Sequence, residues 1–344
     1  MAAPSIKDVA KLAGVSPSTV SLVINGSPAI KHETAFKVRQ AIEQLNYVPN
    51  QAARSLVTRE KKVISVIRIA NSAIEPATDD FFQSAVDTLT QDVLAGVQGV
   101  LSKNGYSLLT KMVDLRTPVN EIDIFDRSKI DGAIFIGGLV TDDFCKIVRE
   151  AFVPAVYAFS RHEKSDFVDT DPVEGIYLAT KHLIEQGHVR IAMINGSIAS
   201  QSSVLKIEGY KKALAEAGIP YRPELIRHAE FTGQSAYDAM ADIWENEEHP
   251  TAVIGGADSI TLGAYRYLYS KGVYCPHHIS IVGYETSILT SYCSPQITSV
   301  CLNRQKIGAE AARILINRLR NHRAKPVHMI LPPHLCTRES VNKI

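Results

Sequence analysis

From Lys62 to the end of the chain, short apolar runs alternate with amphipathic stretches at helical spacing. Such alternation is typical of parallel sheets that are covered on both faces by helices. The segment is too long for one such unit, so we expect two α/β lobes with ligand space at the ends of the strands. The predicted strands are 63–69, 106–113, 132–136, 154–159, 190–194, 251–254, 279–282 and 327–331, and the predicted helices include 175–186, 203–217, 235–247, 259–271 and 305–321.

Residues 5–45 have a different pattern, which predicts three short helices. Ser5 and Asp8 have the spacing of a capping box at the start of the first helix, and Gly14 is placed to end it. Ser16 followed by Pro17 is typical of the start of a second helix. Small hydroxyl side chains on the outer face of this helix suit entry into the major groove of DNA. The pattern predicts a helix–turn–helix head, with a generic three-helix bundle as the alternative.

The charges are divided unevenly along the chain. The whole chain carries a net charge of +1, but residues 1–62 hold nine basic and four acidic side chains, a net charge of +5. The remaining 282 residues carry −4. A basic head on a mildly acidic body indicates nucleic-acid contact by the head. A solvated basic surface without a partner is the alternative.

A weakly helical segment lies between the head and the body. Pro49 breaks the chain, and residues 50–57 offer about two turns with little apolar material, so this helix should form only when it is docked on a partner. We therefore expect a DNA-binding head at 1–48, a hinge helix or linker at 49–62 and a body at 63–344. Within the body, the first lobe is predicted at 63–160 and 292–322, and the second lobe at 161–291 and 323–344.

Several functional classes find no support in the sequence. The five cysteines are widely spaced, which fits free thiols in a reducing compartment. No stretch resembles a membrane helix or a signal peptide, so we expect a cytoplasmic protein without a membrane partner. GxSxG, P-loop and HExxH motifs are absent, and Cys275, His277 and His278 lack a further ligand at metal-site spacing. We expect no catalytic residue, no cofactor and no metal.

Motifs along nearly the whole chain resemble the lactose/galactose-repressor family of bacterial regulators. In the head these motifs are 6–16 (IKDVAKLAGVS), 18–21 (STVS), 25–26 (NG), 45–50 (LNYVPN) and 53–56 (ARSL). In the body they are 187–192 (GHVRIA), 209–210 (GY), 258–264 (DSITLGA), 281–284 (IVGY), 295–300 (PQITSV) and 307–308 (IG). The resemblance implies an all-α helix–turn–helix head, a hinge helix, and a two-lobed α/β body like the type I periplasmic sugar-binding proteins. It also implies homodimers that bind pseudo-palindromic operator DNA.

The resemblance further implies DNA contacts by individual side chains. Residues that match the major-groove positions of the family are Pro17, Ser18 and Leu22. Residues that match its phosphate or sugar contacts are Ser16, Thr19, Ser21, Asn25 and Asn50. The hinge residues that match those entering the minor groove are Ala53 and Leu56, and Leu56 would act as the apolar wedge that separates two base pairs and kinks the duplex.

The resemblance places a small effector, such as a sugar or sugar derivative, between the two lobes. Asp258 follows a predicted strand, where a carboxylate can accept hydrogen bonds from ligand hydroxyls, although a helix cap would occupy the same position. Phe231 matches an aromatic that stacks on a sugar face, with core packing as the alternative. Residues matching pocket positions of the family are Arg161, Lys206, Phe231, Asp258 and Glu285.

Four residues depart from the family pattern. Leu22 stands where an arginine usually follows the Thr-Val-Ser motif, so it can offer only apolar contact to a base, for example to a thymine methyl. Lys31 cannot cap the third helix. Lys206 replaces an effector-binding arginine and lacks its two-pronged contact, and Glu285 replaces the preferred Asp.

Taken together, these features predict a ligand-controlled regulator, most simply a repressor of carbohydrate-utilisation genes. The effector would change the arrangement of the lobes and thereby the order of the hinge helices that bind the operator. One alternative is a family member whose co-repressor is a phosphorylated protein instead of a sugar. Another is a cytoplasmic solute-binding protein with no role in DNA binding.

Overall fold

The computed structural model describes residues 4–24, 27–47, 61–70, 88–114, 129–137, 140–151, 153–245, 248–321 and 325–344. The chain divides into two compact units, 1–61 and 62–344. None of the described helices has both the length and the apolar character needed to cross a membrane.

The first unit is built from three short helices: α1 (Ile6–Ala13), α2 (Pro17–Ile24) and α3 (His32–Gln44). Each helix contributes two side chains to a small apolar core, because apolar residues recur at helical spacing along it. The buried core residues are Val9, Ala10, Val20, Val23, Val38, Ala41 and Tyr47.

Local capping chemistry defines the ends of these helices, as the sequence predicts. The Asp8 carboxylate accepts hydrogen bonds from the Ser5 backbone N–H (2.8 Å) and hydroxyl (2.7 Å). Gly14 ends α1 with a left-handed φ of 66°, which glycine adopts without strain. The Ser16 Oγ accepts the Thr19 N–H at 3.1 Å, while Lys31 makes no side-chain bond to the start of α3.

The strands of the first sheet of the body are β1 (Val63–Ala70), β2 (Ser107–Asp114), β3 (Gly132–Ile136), β4 (Ala155–Ala158), β5 (Asp166–Thr170) and β11 (His328–Leu331). These six strands are parallel and have the order β11-β5-β4-β3-β1-β2. Helices α4 (Thr88–Leu101), α5 (Asp142–Glu150) and α11 (Arg304–Arg320) supply side chains to the two apolar cores that cover the faces of this sheet.

The strands of the second sheet are β6 (Ile191–Asn195), β7 (Ile226–His228), β8 (Ala252–Gly255), β9 (Ser280–Glu285), β10 (Thr298–Cys301) and β12 (His334–Cys336). Their order in this sheet is β12-β10-β9-β8-β6-β7, and among the described ladders only the pairing of β10 with β12 is antiparallel. The helices that accompany it are α6 (Pro172–Glu185), α7 (Gln201–Glu216), α8 (Gly233–Trp244), α9 (Asp258–Ser270) and α10 (Ile288–Tyr292).

Two α/β lobes are therefore present, but their boundaries differ from the predicted ones at three places. Residues 161–170 end in β5 and belong to the first lobe, not the second. Residues 298–301 form β10 in the second sheet, whereas they were predicted in the first lobe. Residues 328–331 form β11 in the first sheet instead of the second. The chain thus crosses between the lobes three times, after β5, after β10 and after β11. Each sheet therefore contains strands from distant parts of the sequence.

Glycine allows the closest helix contact in the first lobe. A Cβ at Gly308 of α11 would overlap the Val93 carbonyl of α4, and a Cβ at Gly96 of α4 would overlap the Gln305 carbonyl of α11. The backbones of the two helices touch at these points, which only glycine permits. The close packing of α4 on α11 therefore explains the glycine in the family motif at 307–308.

Candidate functional site

Helix α2 carries five of the ten side chains that the sequence predicts to contact DNA. Val20 and Val23 point into the head core, so the opposite side of the helix faces solvent. Leu22 is 43% exposed. Of the predicted residues, Ser16, Pro17, Ser18 and Leu22 are exposed, and Thr19 and Ser21 are half-buried.

Four further predicted DNA contacts lie outside the described residues. These are Asn25 and the predicted hinge positions Asn50, Ala53 and Leu56. Their assignment stays a prediction from the sequence.

The predicted effector residues gather at the carboxyl edges of the two sheets. Arg161 follows β4, Phe231 follows β7, Asp258 follows β8, and Glu285 is the last residue of β9. Lys206 lies on α7, the helix that follows β6. In α/β folds this edge is where ligands bind, because the loops that leave the strands converge there. The structure therefore places all five residues at or beside the carboxyl edges of the sheets, and their role toward an effector stays a prediction from the sequence.

Arg161 is held in place by the end of β5. Its Nε donates to Asp169 Oδ2 at 2.7 Å, and its Nη2 donates to the Thr170 carbonyl at 2.7 Å. Burial raises the pKa of Asp169, and the bond from Arg161 opposes that rise. About a quarter of the Arg161 side chain stays exposed, so a fixed guanidinium is presented at the edge of the first sheet.

Lys206 is buried and has two fixed neighbours. Its Nζ donates to the Gly256 carbonyl at 2.7 Å and lies 4.1 Å from the centre of the Tyr284 ring. Burial lowers the pKa of Lys206 to about 8, while the charges of Glu285 and Asp169 oppose this effect. Lys206 is therefore a packed cation with fixed partners, unlike the flexible ligand-binding arm that an arginine would provide.

Asp258 is the first residue of α9 and is only 1% exposed. Its Oδ2 accepts the Ser287 N–H at 2.9 Å, whereas its Oδ1 has no hydrogen-bond partner among the described residues. The Asp258 N–H donates to Glu285 Oε2 at 3.4 Å. Burial, followed by repulsion from Glu285, raises the pKa of Asp258 to about 7. The side chain bonds to another loop and does not cap its own helix, so the helix-cap alternative is wrong.

Arg304 connects Asp258 with the first lobe, and sequence reasoning did not identify it. This buried side chain at the start of α11 lies 2.9 Å from Asp92 Oδ2 on α4 and 3.9 Å from Asp258 Oδ2. The sequence contains one indication that Arg304 has a distant partner. A cation in the first turn of a helix opposes the helix dipole and needs an acidic partner, and the first turn of α11 contains no acidic residue. The partners are distant in sequence, which is why the pairing was not predicted.

Backbone strain is concentrated at the same edges. Phe159 after β4 (φ 64°), Phe231 after β7 (φ 57°) and Glu285 at the end of β9 (φ 103°) have left-handed conformations that are uncommon outside glycine. The Phe231 ring packs so closely on Gly196 that any side chain there would overlap it. The Phe231 carbonyl accepts the Ser259 hydroxyl at 2.8 Å, next to Asp258. Strained residues of this kind often mark functional sites.

A hydrogen-bonded chain in the first lobe has the connectivity of a hydrolase triad. Ser160 Oγ is 2.7 Å from His162 Nε2, and His162 Nδ1 is 2.8 Å from Asp142 Oδ1. Ser160 is only 4% exposed, and its hydroxyl is enclosed by the lobe. The chain of bonds is better explained as a link between the β4–β5 connection and α5.

Comparison with known proteins identifies the family. The model of bacterial regulatory proteins, lacI family, matches residues 5–50, and the model of the periplasmic binding protein-like domain matches residues 180–341. The HTH-type transcriptional regulator CelR of Thermobifida fusca is 32% identical over 344 residues, which cover 98% of each chain. The chain belongs to the lacI family of bacterial regulatory proteins. The HTH-type transcriptional repressor PurR of Actinobacillus pleuropneumoniae serotype 5b is also 32% identical, with 99% of each chain covered.

Solved structures of lacI-family proteins have the same architecture. The transcriptional regulator CelR in complex with cellobiose matches with a TM-score of 0.71 at 30% identity, covering 98% of this chain and 99% of that one. The Lac repressor dimer bound to operator and the anti-inducer ONPF matches with a TM-score of 0.82, covering 99% and 100% of the two chains, and at 24% identity it supports the fold alone. The predicted helix–turn–helix head and two-lobed body are confirmed, and this lacI-family chain is a DNA-binding transcriptional regulator.

Proposed function

We propose that this lacI-family regulator represses carbohydrate-utilisation genes as a homodimer on a pseudo-palindromic operator, with a neutral sugar as its effector. Sequence relatives and structural neighbours support the effector class. One neighbour is a CelR–cellobiose complex at 30% identity, and one relative at 30% identity is the ribose operon repressor of Haemophilus influenzae. A regulator of transcription would act in the bacterial cytoplasm, in keeping with the sequence-based expectation.

The observation that carries the effector proposal is the open carboxylate oxygen of Asp258. A buried acceptor without a partner costs free energy unless a donor reaches it, and the hydroxyl groups of a sugar are such donors. Asp169 and Glu285 add negative charge around the same edge. A neutral polyol can donate hydrogen bonds to these acceptors.

Each residue then has a defined role toward the sugar. Asp258 and Glu285 accept hydrogen bonds from hydroxyls, and Arg161 donates to ring or hydroxyl oxygens. Phe231 stacks on an apolar sugar face, for which its half-buried ring is suited. Lys206 holds the Gly256 carbonyl and the Tyr284 ring in place, and so shapes the wall against which the sugar rests.

Arg304 offers a physical route from the effector to the operator. It pairs with Asp92 in the first lobe and approaches Asp258 in the second. A sugar that bonds to Asp258 changes the charge distribution that Arg304 experiences, and so favours one arrangement of the lobes over another. A ligand shifts such an equilibrium only by its different affinities for the two states. The hinge at 49–62 would convert the lobe arrangement into ordered or disordered operator-binding helices.

On the DNA side, α2 would enter the major groove and the hinge the minor groove. The contacting residues would be Ser16, Pro17, Ser18, Thr19, Ser21, Leu22, Asn25, Asn50, Ala53 and Leu56. Because Leu22 offers only a methyl-rich surface, we expect an A·T pair at its position in each half-site, where the thymine methyl lies in the major groove.

A phosphorylated protein as co-repressor stays the alternative, because Lys206 is bound to the Gly256 carbonyl and packed on the Tyr284 ring and does not make the two-pronged contact of an arginine.

A ligand screen tests the proposal directly. Neutral monosaccharides and disaccharides, their phosphate esters and free purines are added to the full chain, and each shift in melting temperature is measured. We expect stabilisation by a neutral sugar, followed by a change in operator affinity in its presence. Stabilisation by sugar phosphates or purines alone would contradict the effector class while leaving the DNA-binding role intact.

A further inference from the structure

Three side chains that commonly bind metals meet at the edge of the second sheet. The Cys301 and Cys336 Sγ atoms and a ring nitrogen of His334 all lie within 4.8 Å of one another. Cys301 ends β10, and His334 and Cys336 lie on β12, the edge strand. The antiparallel register places Cys301 opposite His334. Because residues two apart on a strand share a face, all three side chains project from the same side of the sheet.

The opposite face of these two strands packs on the core of the second lobe. Val300 is buried there, and Leu335, its register partner, packs against the same cluster. The face that carries the thiols and the imidazole is more open, since Cys301 and Cys336 are half-buried and His334 is exposed. The three side chains are therefore accessible to an ion from solvent, and apolar packing does not account for their types.

Their spacing fits tetrahedral coordination. Zinc–sulfur bonds of about 2.3 Å and a zinc–nitrogen bond of about 2.0 Å place tetrahedral sulfurs about 3.8 Å apart, and sulfur and nitrogen about 3.5 Å apart. The three atoms lie within 4.8 Å of one another and need to close by about 1.3 Å at most, which side-chain rotations achieve. We propose that Cys301, His334 and Cys336 bind a thiophilic d10 cation, Zn²⁺, with solvent as the fourth ligand. Binding would release the two thiol protons to solvent.

A disulfide is the competing chemistry for the two thiols, and the register disfavours it. Cys301 opposes His334 and Cys336 opposes Ser299, so the two cysteines are diagonal neighbours. Diagonal Cα atoms are about 7–8 Å apart, whereas most disulfides join Cα atoms about 4.4–6.8 Å apart. Both cysteines are free in the structure.

The site lies where two connections between the lobes meet the second sheet. Cys301 is followed by the connection to α11, and His334 is preceded by the connection from β11. The Asn303 side-chain amide of the first connection donates to the Pro332 carbonyl of the second at 3.4 Å. A bound ion would add a stronger link between the same two connections, next to Glu285, which is the register partner of Cys301.

The test uses the untagged full chain, reduced and freed of metal with a chelator. Zn²⁺ uptake is measured by competition with a chromophoric chelator, and Co²⁺ serves as the spectroscopic probe. We expect one ion per chain, intense tetrahedral Co²⁺ bands and a thiolate-to-cobalt charge-transfer band. His334→Ala, at an exposed position that should not affect folding, is expected to weaken Zn²⁺ binding by at least about tenfold.

Cys301→Ser and Cys336→Ser are each expected to remove most of the charge-transfer intensity, with circular dichroism confirming that the variants fold. Cys293→Ser is the matched control, because Cys293 is another half-buried free cysteine outside the cluster, and it should leave Zn²⁺ affinity unchanged. Failure to take up Zn²⁺, weak octahedral Co²⁺ bands, or unchanged affinity in His334→Ala would each overturn the proposal.

Discussion

Replacing Asp258 with Asn should make the protein more stable while removing its effector response. Burial and Glu285 raise the pKa of Asp258 from 3.8 to about 7. The folded state therefore holds the proton more tightly than the unfolded chain does. The protonated Asp258 carboxyl makes its full contribution to the stability of the folded state below about pH 4, and this contribution is lost as the pH rises to about 7.

The size of the effect follows from this displacement of the pKa. Each pH unit between the folded and unfolded values corresponds to about 1.4 kcal/mol. Relative to a neutral side chain, the carboxylate should destabilise the folded state by about 2 kcal/mol at about pH 5 and by about 4 kcal/mol at about pH 8. Asn has nearly the same size, its oxygen can still accept the Ser287 N–H, and Arg304 keeps Asp92 as a partner.

Thermal unfolding of the body at the two pH values measures this gain. In a unit of this size about 1 kcal/mol corresponds to roughly 2 °C, so Asp258→Asn should melt about 4 °C higher at about pH 5 and about 8 °C higher at about pH 8. Asp238→Asn is the matched control, because Asp238 is an exposed carboxylate on α8. A gain that does not grow with pH, or a loss of stability at pH 8, would refute the reasoning.

Three further predictions concern the head and the first lobe. Ser16→Ala removes the hydrogen bond to the Thr19 N–H and should destabilise α2 by about 1 kcal/mol. Amide hydrogen exchange in α2, measured without DNA, should become faster. Unchanged exchange would contradict the capping role of Ser16. Leu22→Arg should shift the preferred half-site toward guanine by about 10- to 100-fold in a binding-site selection, and an unchanged preference would place Leu22 away from the bases. Gly308→Ala should force α4 and α11 apart at the Val93 carbonyl. The free energy of unfolding of the body, measured by urea titration, should fall by about 1–3 kcal/mol. An unfolding free energy equal to that of the wild type would contradict the close contact.

Features set by neighbouring residues could be predicted from the sequence. The capping box of Ser5 and Asp8, the glycine end of α1 at Gly14 and the start of α2 at Pro17 all depend on short-range hydrogen bonds, and all three are confirmed. The long apolar strands were also predicted, because a buried parallel strand has a continuous apolar run. The observed strand ends lie within two residues of the predicted ones for β1, β2 and β8.

Features set by distant contacts could not be predicted in this way. Strand β5 was not predicted, because Asp166 and Asp169 interrupt its apolar pattern, and their partners Arg318 and Arg161 are outside the strand. Strand β12 is a three-residue edge strand with no apolar run of its own. The predicted lobe boundaries were wrong for the same reason: β11 and β12 join different sheets although they are separated by only two residues.

In the site, too, features set by neighbouring residues could be predicted, and features set by distant contacts could not. The strand-end position of Asp258 could be predicted, but its approach to Arg304 and its open oxygen depend on a helix from the other lobe. The burial of Lys206 against Tyr284 likewise depends on two separate elements. The sequence predicts no metal site, since Cys301 and His334 are far apart along the chain, and only strand pairing brings them together.

The central claim is that a neutral sugar bound through Asp258 controls operator affinity. Operator binding of the full chain is measured by fluorescence anisotropy with and without the sugar found in the screen, for the wild type and for Asp258→Asn. We predict that the sugar changes the operator Kd of the wild type by about tenfold or more, and that Asp258→Asn binds the operator equally well with or without it. An equal sugar-dependent change in both proteins would contradict the claim.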